Sequence, residues 1–250
     1  MINIYTSADI DKITDSAILL SDTLDMVRLM IKPGTKVKDI EEFAETYIRD
    51  NGGKPAFKGY KGYPSALCIS VESVAAHGIP DDRILRDGQI VSVDGGVELD
   101  GWFSDSARTF EVGTVSDEKR RLIDATRQAM NDGIEQIKPG NKVGDISHAI
   151  EQRVVNEGFA IVHALGGHGI GKNIHEDPKI FNFGQAGTGS PLVEGMVLAI
   201  EPVVSMGKPE LVIDSDGWTM RTKDSSPAAH FENMVAVSST GYEVLTDAIL

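Results

Sequence analysis

The sequence predicts a layered fold of the α/β class, more closely described as α+β, built from two related halves. Two observations carry this. The first is an internal repeat. Residues 31–40 read IKPGTKVKDI and residues 137–146 read IKPGNKVGDI, identical at eight of ten positions. In the same order, RDGQIVSVD at 86–94 corresponds to VEGMVLAIE at 193–201, each with an acid-Gly start, an apolar run and a terminal carboxylate. Asp100-Gly101-Trp102 likewise recurs as Asp216-Gly217-Trp218, and each copy precedes another acid that enters a strand, Asp105 before SARTFEV and Glu232 before NMVAV. The second observation is that helical patterns come before strand patterns within each half, which argues against the βαβ alternation of a doubly wound sheet.

The elements follow in order. Ile13, Ala17, Leu20, Leu24, Val27 and Ile31 step by threes and fours and predict a first helix, ended by Lys-Pro-Gly. Ile40, Phe43, Ala44, Tyr47 and Ile48 mark a second helix, closed by Gly52 and Gly53. The second half repeats the scheme, with a helix over 116–137 capped by Ser116 and another over 145–157 stopped by Gly158. Strands rich in Val and Ile are expected at 66–71, 89–94, 97–103, 107–112, 196–205, 217–222, 233–237 and 242–246. One domain spanning 1–250 is expected, with halves near 8–113 and 116–248.

Composition narrows the function. The chain has 250 residues, 41% of them hydrophobic, enough for a sizeable core. A net charge of -14 offers no electrostatic footprint for nucleic acid, which is not an expected partner. The N-terminal stretch MINIYTSADIDKITD has neither a basic nor an apolar signal region, and no window is long and apolar enough to span a membrane. Cys68 is the only cysteine, so an intrachain disulfide or thiolate cluster is excluded and a cytoplasmic location is expected.

Two matching halves packed around an approximate axis would bring Asp94, Asp105, Glu201 and Glu232 together. Four carboxylates that close cannot all stay ionised without a counter-charge, and divalent cations are the simplest supply. Any one of these acids alone would read as a surface or turn residue; repetition after the apolar runs IVSV and VLAI raises them to candidate ligands. In GGHGIGKNIHEDP, His168 and His175 sit among turn formers that would place imidazoles at a cleft. Gly167, Gly169 and Gly171 imitate a dinucleotide fingerprint, but no helical pattern follows. His148 and His163 receive no role, and His77 by itself reads as structural. Carboxylates with an imidazole suit Mn, Fe, Co or Zn, and a pair of such ions points to metal-assisted hydrolysis.

The segments GYKGYPSALCISVESVAAHGIPDD, VSVDGGVELDGWFSDSARTF, GGHGIGKNIHEDP, EGMVLAIEP and DGWTMRTKDSSPAAHFEN carry a resemblance to the type I methionine aminopeptidases over about residues 10–248. The resemblance implies the pita-bread fold, pseudo-symmetric halves with antiparallel sheet covered by helices. It implies removal of an N-terminal methionine from nascent polypeptides with a small second residue, by water or hydroxide bridging two divalent metals. By position, Asp105 and Glu232 become bridging ligands, Asp94 a ligand of one metal, and His168 with Glu201 ligands of the other. Glu201 becomes the general base, His175 a donor to the scissile carbonyl and His77 a partner of the amide nitrogen. Phe57, Tyr60, Tyr63, Cys68 and Trp218 become the methionine pocket, which His77 and His175 adjoin. A monomer is expected.

Three features, two single residues and one dipeptide, depart from the family pattern. Phe57 and Ile174 are expected to alter pocket volume, and Asn233-Met234 to alter the surroundings of Glu232. The rival readings are a proline-directed pita-bread aminopeptidase, which usually carries an added N-terminal domain, and a pita-bread binding module without catalysis, which should have lost ligands.

Overall fold

A computed structural model describes residues 1–246. The first half runs α1 (Ser7–Arg28), α2 (Val37–Asp50), β1 (Lys54–Pro55), β2 (Leu67–Val71), β3 (Val74–Ala76), β4 (Gln89–Leu99) and β5 (Trp102–Val112). The second runs α3 (Asp117–Ile134), α4 (Val143–Asn156), β6 (Ala160–Ile161), β7 (Gly166–Gly169), β8 (Glu176–Phe181), β9 (Val197–Ile200) and β10 (Val203–Ser205). It continues with β11 (Leu211–Ile213), β12 (Met220–Thr222), β13 (Ala228–His230), β14 (Asn233–Val237) and β15 (Tyr242–Val244).

The four helices form where the apolar periodicity places them. Thr6 caps α1 in a reciprocal box with Asp9, and Ser116 caps α3 by accepting from the Lys119 amide at 3.3 Å. The repeated Lys-Pro-Gly turns take the same backbone form, with Gly34 at φ 93° and Gly140 at φ 97°, a region open to glycine without a Cβ clash. Leu20, Leu24, Ile40 and Ile48 are wholly buried in one apolar cluster with residues of β2 and β4, and their counterparts Leu122, Ile146 and Ile150 fill the other half. Burying each such side chain stabilises the fold by about 2 kcal/mol.

The described strands pair antiparallel throughout. β4 is flanked by β1 and β2 on one edge and β5 on the other, and the second large sheet has the order β15-β14-β9-β7-β8. An isolated bridge between Ala107 and Glu232 links the two sheets, with Glu232 N donating to Ala107 O at 2.8 Å. That bridge brings Glu232, just before β14, close to Asp105 on β5.

Several sequence expectations change. The strands expected at 89–94, 97–103 and 107–112 are two long arms of one hairpin, turning at Asp100-Gly101. Gly95 and Gly96 do not break β4: they lie in its ladder opposite Ser106 and Asp105. The segment 196–205 divides into β9 and β10 around Glu201-Pro202, and the strand expected at 217–222 is confined to β12. No helix among the described residues is long and apolar enough to cross a membrane.

Candidate metal centre and active site

All twelve candidate site residues line one cavity of about 200 Å³, joined by Lys61, which the sequence pattern does not single out. The strand ends place them. β2 pairs with β4 so that Cys68 faces Asp94, β4 pairs with β5 so that Gly96 faces Asp105, and β9 pairs with β14 so that Ile200 faces Asn233. Glu201 and Glu232 therefore arrive from the end of one ladder and Asp94 and Asp105 from the middle of the other.

His168 is not in a turn, as its glycine neighbours suggest. It lies on β7, paired with Lys179 on one side and Ala199 on the other. The glycines serve close packing. A Cβ on Gly167 would lie 2.1 Å from Ala199 O, and one on Gly169 would lie 2.1 Å from Asp177 O. His168 Nδ1 donates to Gly169 O at 2.9 Å, which leaves Nε2 with a lone pair aimed at the acids, 3.4 Å from Glu201 Oε1 and 3.9 Å from Asp105 Oδ2.

Asp105 and Glu232 are 3% and 2% exposed. Asp94 Oδ1, Asp105 Oδ1 and Glu232 Oε1 are buried with no hydrogen-bond partner among the described residues. Burial pushes Asp94 up to about 7. Burial raises Asp105 too, reinforced by repulsion from Asp94 and Glu201; Glu201 is raised by burial and Asp94, and Glu232 by burial with Asp105, Glu201 and Asp94. Such orphaned anions are costly without compensation. Ligand atoms of Asp94, Asp105 and Glu232 lie within 4.8 Å of one another, as do those of His168, Glu201 and Glu232 and those of Asp105, His168 and His175. Oxygen donors with a neutral imidazole fit hard or borderline divalent cations.

Around the acids, His175 Nδ1 meets Tyr60 Oη at 3.1 Å with the rings stacked at 5.4 Å. Burial, with repulsion from His168, Lys61 and His77, holds His175 down at about 3, so the ring is neutral at pH 7. Burial also lowers His77, whose backbone sits at φ 54°, an uncommon value for a residue with a Cβ. Tyr63 donates to Leu67 O and Gly78 O at 3.2 and 3.1 Å and packs edge-on to Trp218 at 5.2 Å. Glu41, buried on α2, accepts from the Ala66 and Leu67 amides at 2.6 and 2.9 Å and fixes the start of β2, which carries Cys68. Phe57 lines the cavity, whereas Ile174 packs behind it in the same apolar cluster rather than on its wall. Met234 touches the centre through its sulfur, 3.1 Å from the Asp105 amide that donates to it.

His148 rests its Nδ1 3.3 Å from Gly184 O, and His163 packs near Phe183 in a turn after β6; neither lines the cavity. The remaining histidine, His230, carries no role in the sequence reading. It lies buried behind the acids with Nε2 3.9 Å from Glu201 Oε2. The available signal is a lone histidine closing an apolar pair two residues before Glu232.

The profile of metallopeptidase family M24 matches residues 11–239. A methionine aminopeptidase of Clostridium perfringens is 43% identical over 98% of this chain and 99% of its own length. The crystal structure of methionine aminopeptidase from Rickettsia prowazekii superposes with a TM-score of 0.97 at 38% identity, covering 99% of this chain and 100% of that one. The Thermotoga maritima methionine aminopeptidase structure gives 0.97 at 40% identity with the same coverage.

Proposed function

Since the chain belongs to metallopeptidase family M24, with the pita-bread fold, and within it to the methionine aminopeptidases, we propose that its five convergent ligands hold two divalent cations for hydrolysis of an N-terminal methionyl bond. Asp94, Asp105 and Glu232 would hold one ion, and His168, Glu201 and Glu232 the other, with Asp105 as well as Glu232 shared between them. The observation that carries this reading is the set of buried carboxylate oxygens on Asp94, Asp105 and Glu232 that lack a hydrogen-bond partner among the described residues. Co, Mn, Fe or Zn would each suit these donors, and ions so held acidify water and offset charge developing on the scissile carbonyl.

The chain's own groups then divide the work. Glu201, at the cavity wall, takes the proton from the attacking water. With His175 Nδ1 as the acceptor in its 3.1 Å contact with Tyr60 Oη, the neutral ring presents Nε2–H to the carbonyl oxygen and stabilises the charge that builds there. His77, held in its strained backbone position, contacts the scissile nitrogen and assists its departure. Phe57, Tyr60, Tyr63, Cys68 and Trp218 enclose the methionine side chain, whose polarizable thioether packs well on aromatic edges. Small second residues are preferred on this reading.

The substrates are read as N-termini of peptides or nascent proteins, and the enzyme as a single-domain cytoplasmic monomer. Relatives similar over nearly the full chain favour this activity over a proline-directed one, and retention of all five ligands argues against a binding module that has lost catalysis. The test is methionine release from Met-Ala-Ser by chelator-treated protein with each metal restored in turn. Release that depends on added metal is expected. Metal-independent release, or cleavage confined to peptides with proline second, would overturn the reading.

A further inference from the structure

His230 closes β13 and is 4% exposed. Its backbone is locked on both sides by one hydroxyl: its N–H donates to Thr109 Oγ1 at 2.9 Å, and its carbonyl accepts from Thr109 Oγ1 at 2.7 Å. β13 pairs with β10 so that His230 stands opposite Val203, two residues beyond Glu201. The residue is thus fixed behind Glu201 by two separate elements.

Nε2 of this ring is buried with no hydrogen-bond partner among the described residues, and the acid it faces is Glu201, 3.9 Å from Oε2. The other oxygen, Oε1, is 3.4 Å from His168 Nε2. Two imidazoles therefore address the two oxygens of one carboxylate. His230 is not itself placed as a ligand, because it belongs to none of the close donor groups.

Resting on the assignment of Glu201 as ligand and base, we propose that His230 is a positioning residue, whose Nε2–H holds Glu201 Oε2 and so aims Oε1 into the metal centre. An ionised carboxylate can only accept, which selects the Nε2–H tautomer of a neutral ring. The 3.9 Å gap lies outside a hydrogen bond, and a movement of Glu201 by about 1 Å closes it to the usual range. Partners of this kind that orient ligating carboxylates typically change metal affinity by about 10- to 100-fold when removed.

The test uses metal-free protein titrated with Mn²⁺ by calorimetry, in the native chain and in His230→Leu and His230→Gln. His230→Leu keeps a similar volume and loses the donor; His230→Gln keeps a donor. Mn²⁺ affinity is expected to fall about 10- to 100-fold in His230→Leu with the melting temperature of the metal-free protein unchanged or higher, and to return to within about threefold of native in His230→Gln. Equal affinity in all three, or equal loss in both variants, would overturn the proposal. A His230→Leu chain that does not fold leaves two deciding readouts. These are His230→Gln affinity and the ¹⁵N spectrum of native Zn²⁺-loaded protein, in which His230 must carry its proton on Nε2. A proton on Nδ1 would refute it. Neither readout depends on turnover, so failure of the peptidase assay with these results intact would remove the proposed reaction and leave the His230–Glu201 pairing standing.

Discussion

The acid cluster makes a prediction about the metal-free protein that can be worked from Asp94. Burial moves its carboxyl from 3.8 to about 7, so the folded chain holds this proton more tightly than the unfolded chain does. Stability from this group is complete below about pH 4 and is lost as pH rises toward 7. A displacement of that size corresponds to about 4 kcal/mol at 1.36 kcal/mol for each pKa unit. Buried histidines pull the other way, since His175 and His230 are both held near 3, and the stability they cost at low pH is recovered as pH rises toward the ordinary histidine range. The melting curve of the native chain alone is therefore ambiguous. The difference between Asp94→Asn and the native chain, both metal-free, removes the histidine contribution and reads the Asp94 carboxyl together with its repulsion of Asp105, Glu201 and Glu232. That difference should move in favour of Asp94→Asn by about 3 kcal/mol or more between pH 4 and pH 7, or about 6–12 °C in melting temperature for a chain of this size. Packing altered by the substitution is altered equally at both pH values and cancels. Scanning calorimetry after chelation measures it. A difference that is flat, or that turns against Asp94→Asn as pH rises, would show that Asp94 is not a buried, uncompensated acid. Added Mn²⁺ should invert the trend, because it binds the ionised ligands of the native site.

Other substitutions test single parts of the account. Gly167→Ala should destabilise the protein by about 1–3 kcal/mol and lower metal content, because its Cβ would lie 2.1 Å from Ala199 O and must displace the strand carrying His168; unchanged melting and metal content would count against the close-packing role. His77→Ala should keep its metal and lose chiefly kcat, by about 10²-fold or more, and a normal kcat would remove His77 from the reaction. Phe57→Ala should widen the cavity and raise kcat/KM for N-terminal residues larger than methionine relative to methionine, read from a peptide library; an unaltered profile would show that Phe57 does not set side-chain preference.

Much of the site is legible in the sequence because the repeat is written in both backbone and side chains. The same Lys-Pro-Gly turn precedes α2 and α4, and the same kind of apolar run precedes Asp94 and Glu201. Amphipathic helices announce themselves over many residues, so all four are visible. Short strands do not. β3, β6, β7 and β13 hold two to four residues each, and their pairing depends on distant segments that no local pattern reports. Glycine misleads in both halves. Gly95 and Gly96 read as a break and Gly167 and Gly169 as a turn, but in each case the missing Cβ admits a close neighbour within a continuous ladder. His230 is hidden for a related reason: its significance comes from the β10–β13 pairing that brings it up behind Glu201, a neighbour in space and not in sequence.

Anomalous diffraction from crystals grown with excess Mn²⁺ tests the convergence of the acids most directly. Two peaks are predicted, one among Asp94, Asp105 and Glu232 and one among His168, Glu201 and Glu232, with the Asp105 and Glu232 carboxylates reaching both. A cavity without manganese, or a single ion held away from Asp105 and Glu232, would contradict the account.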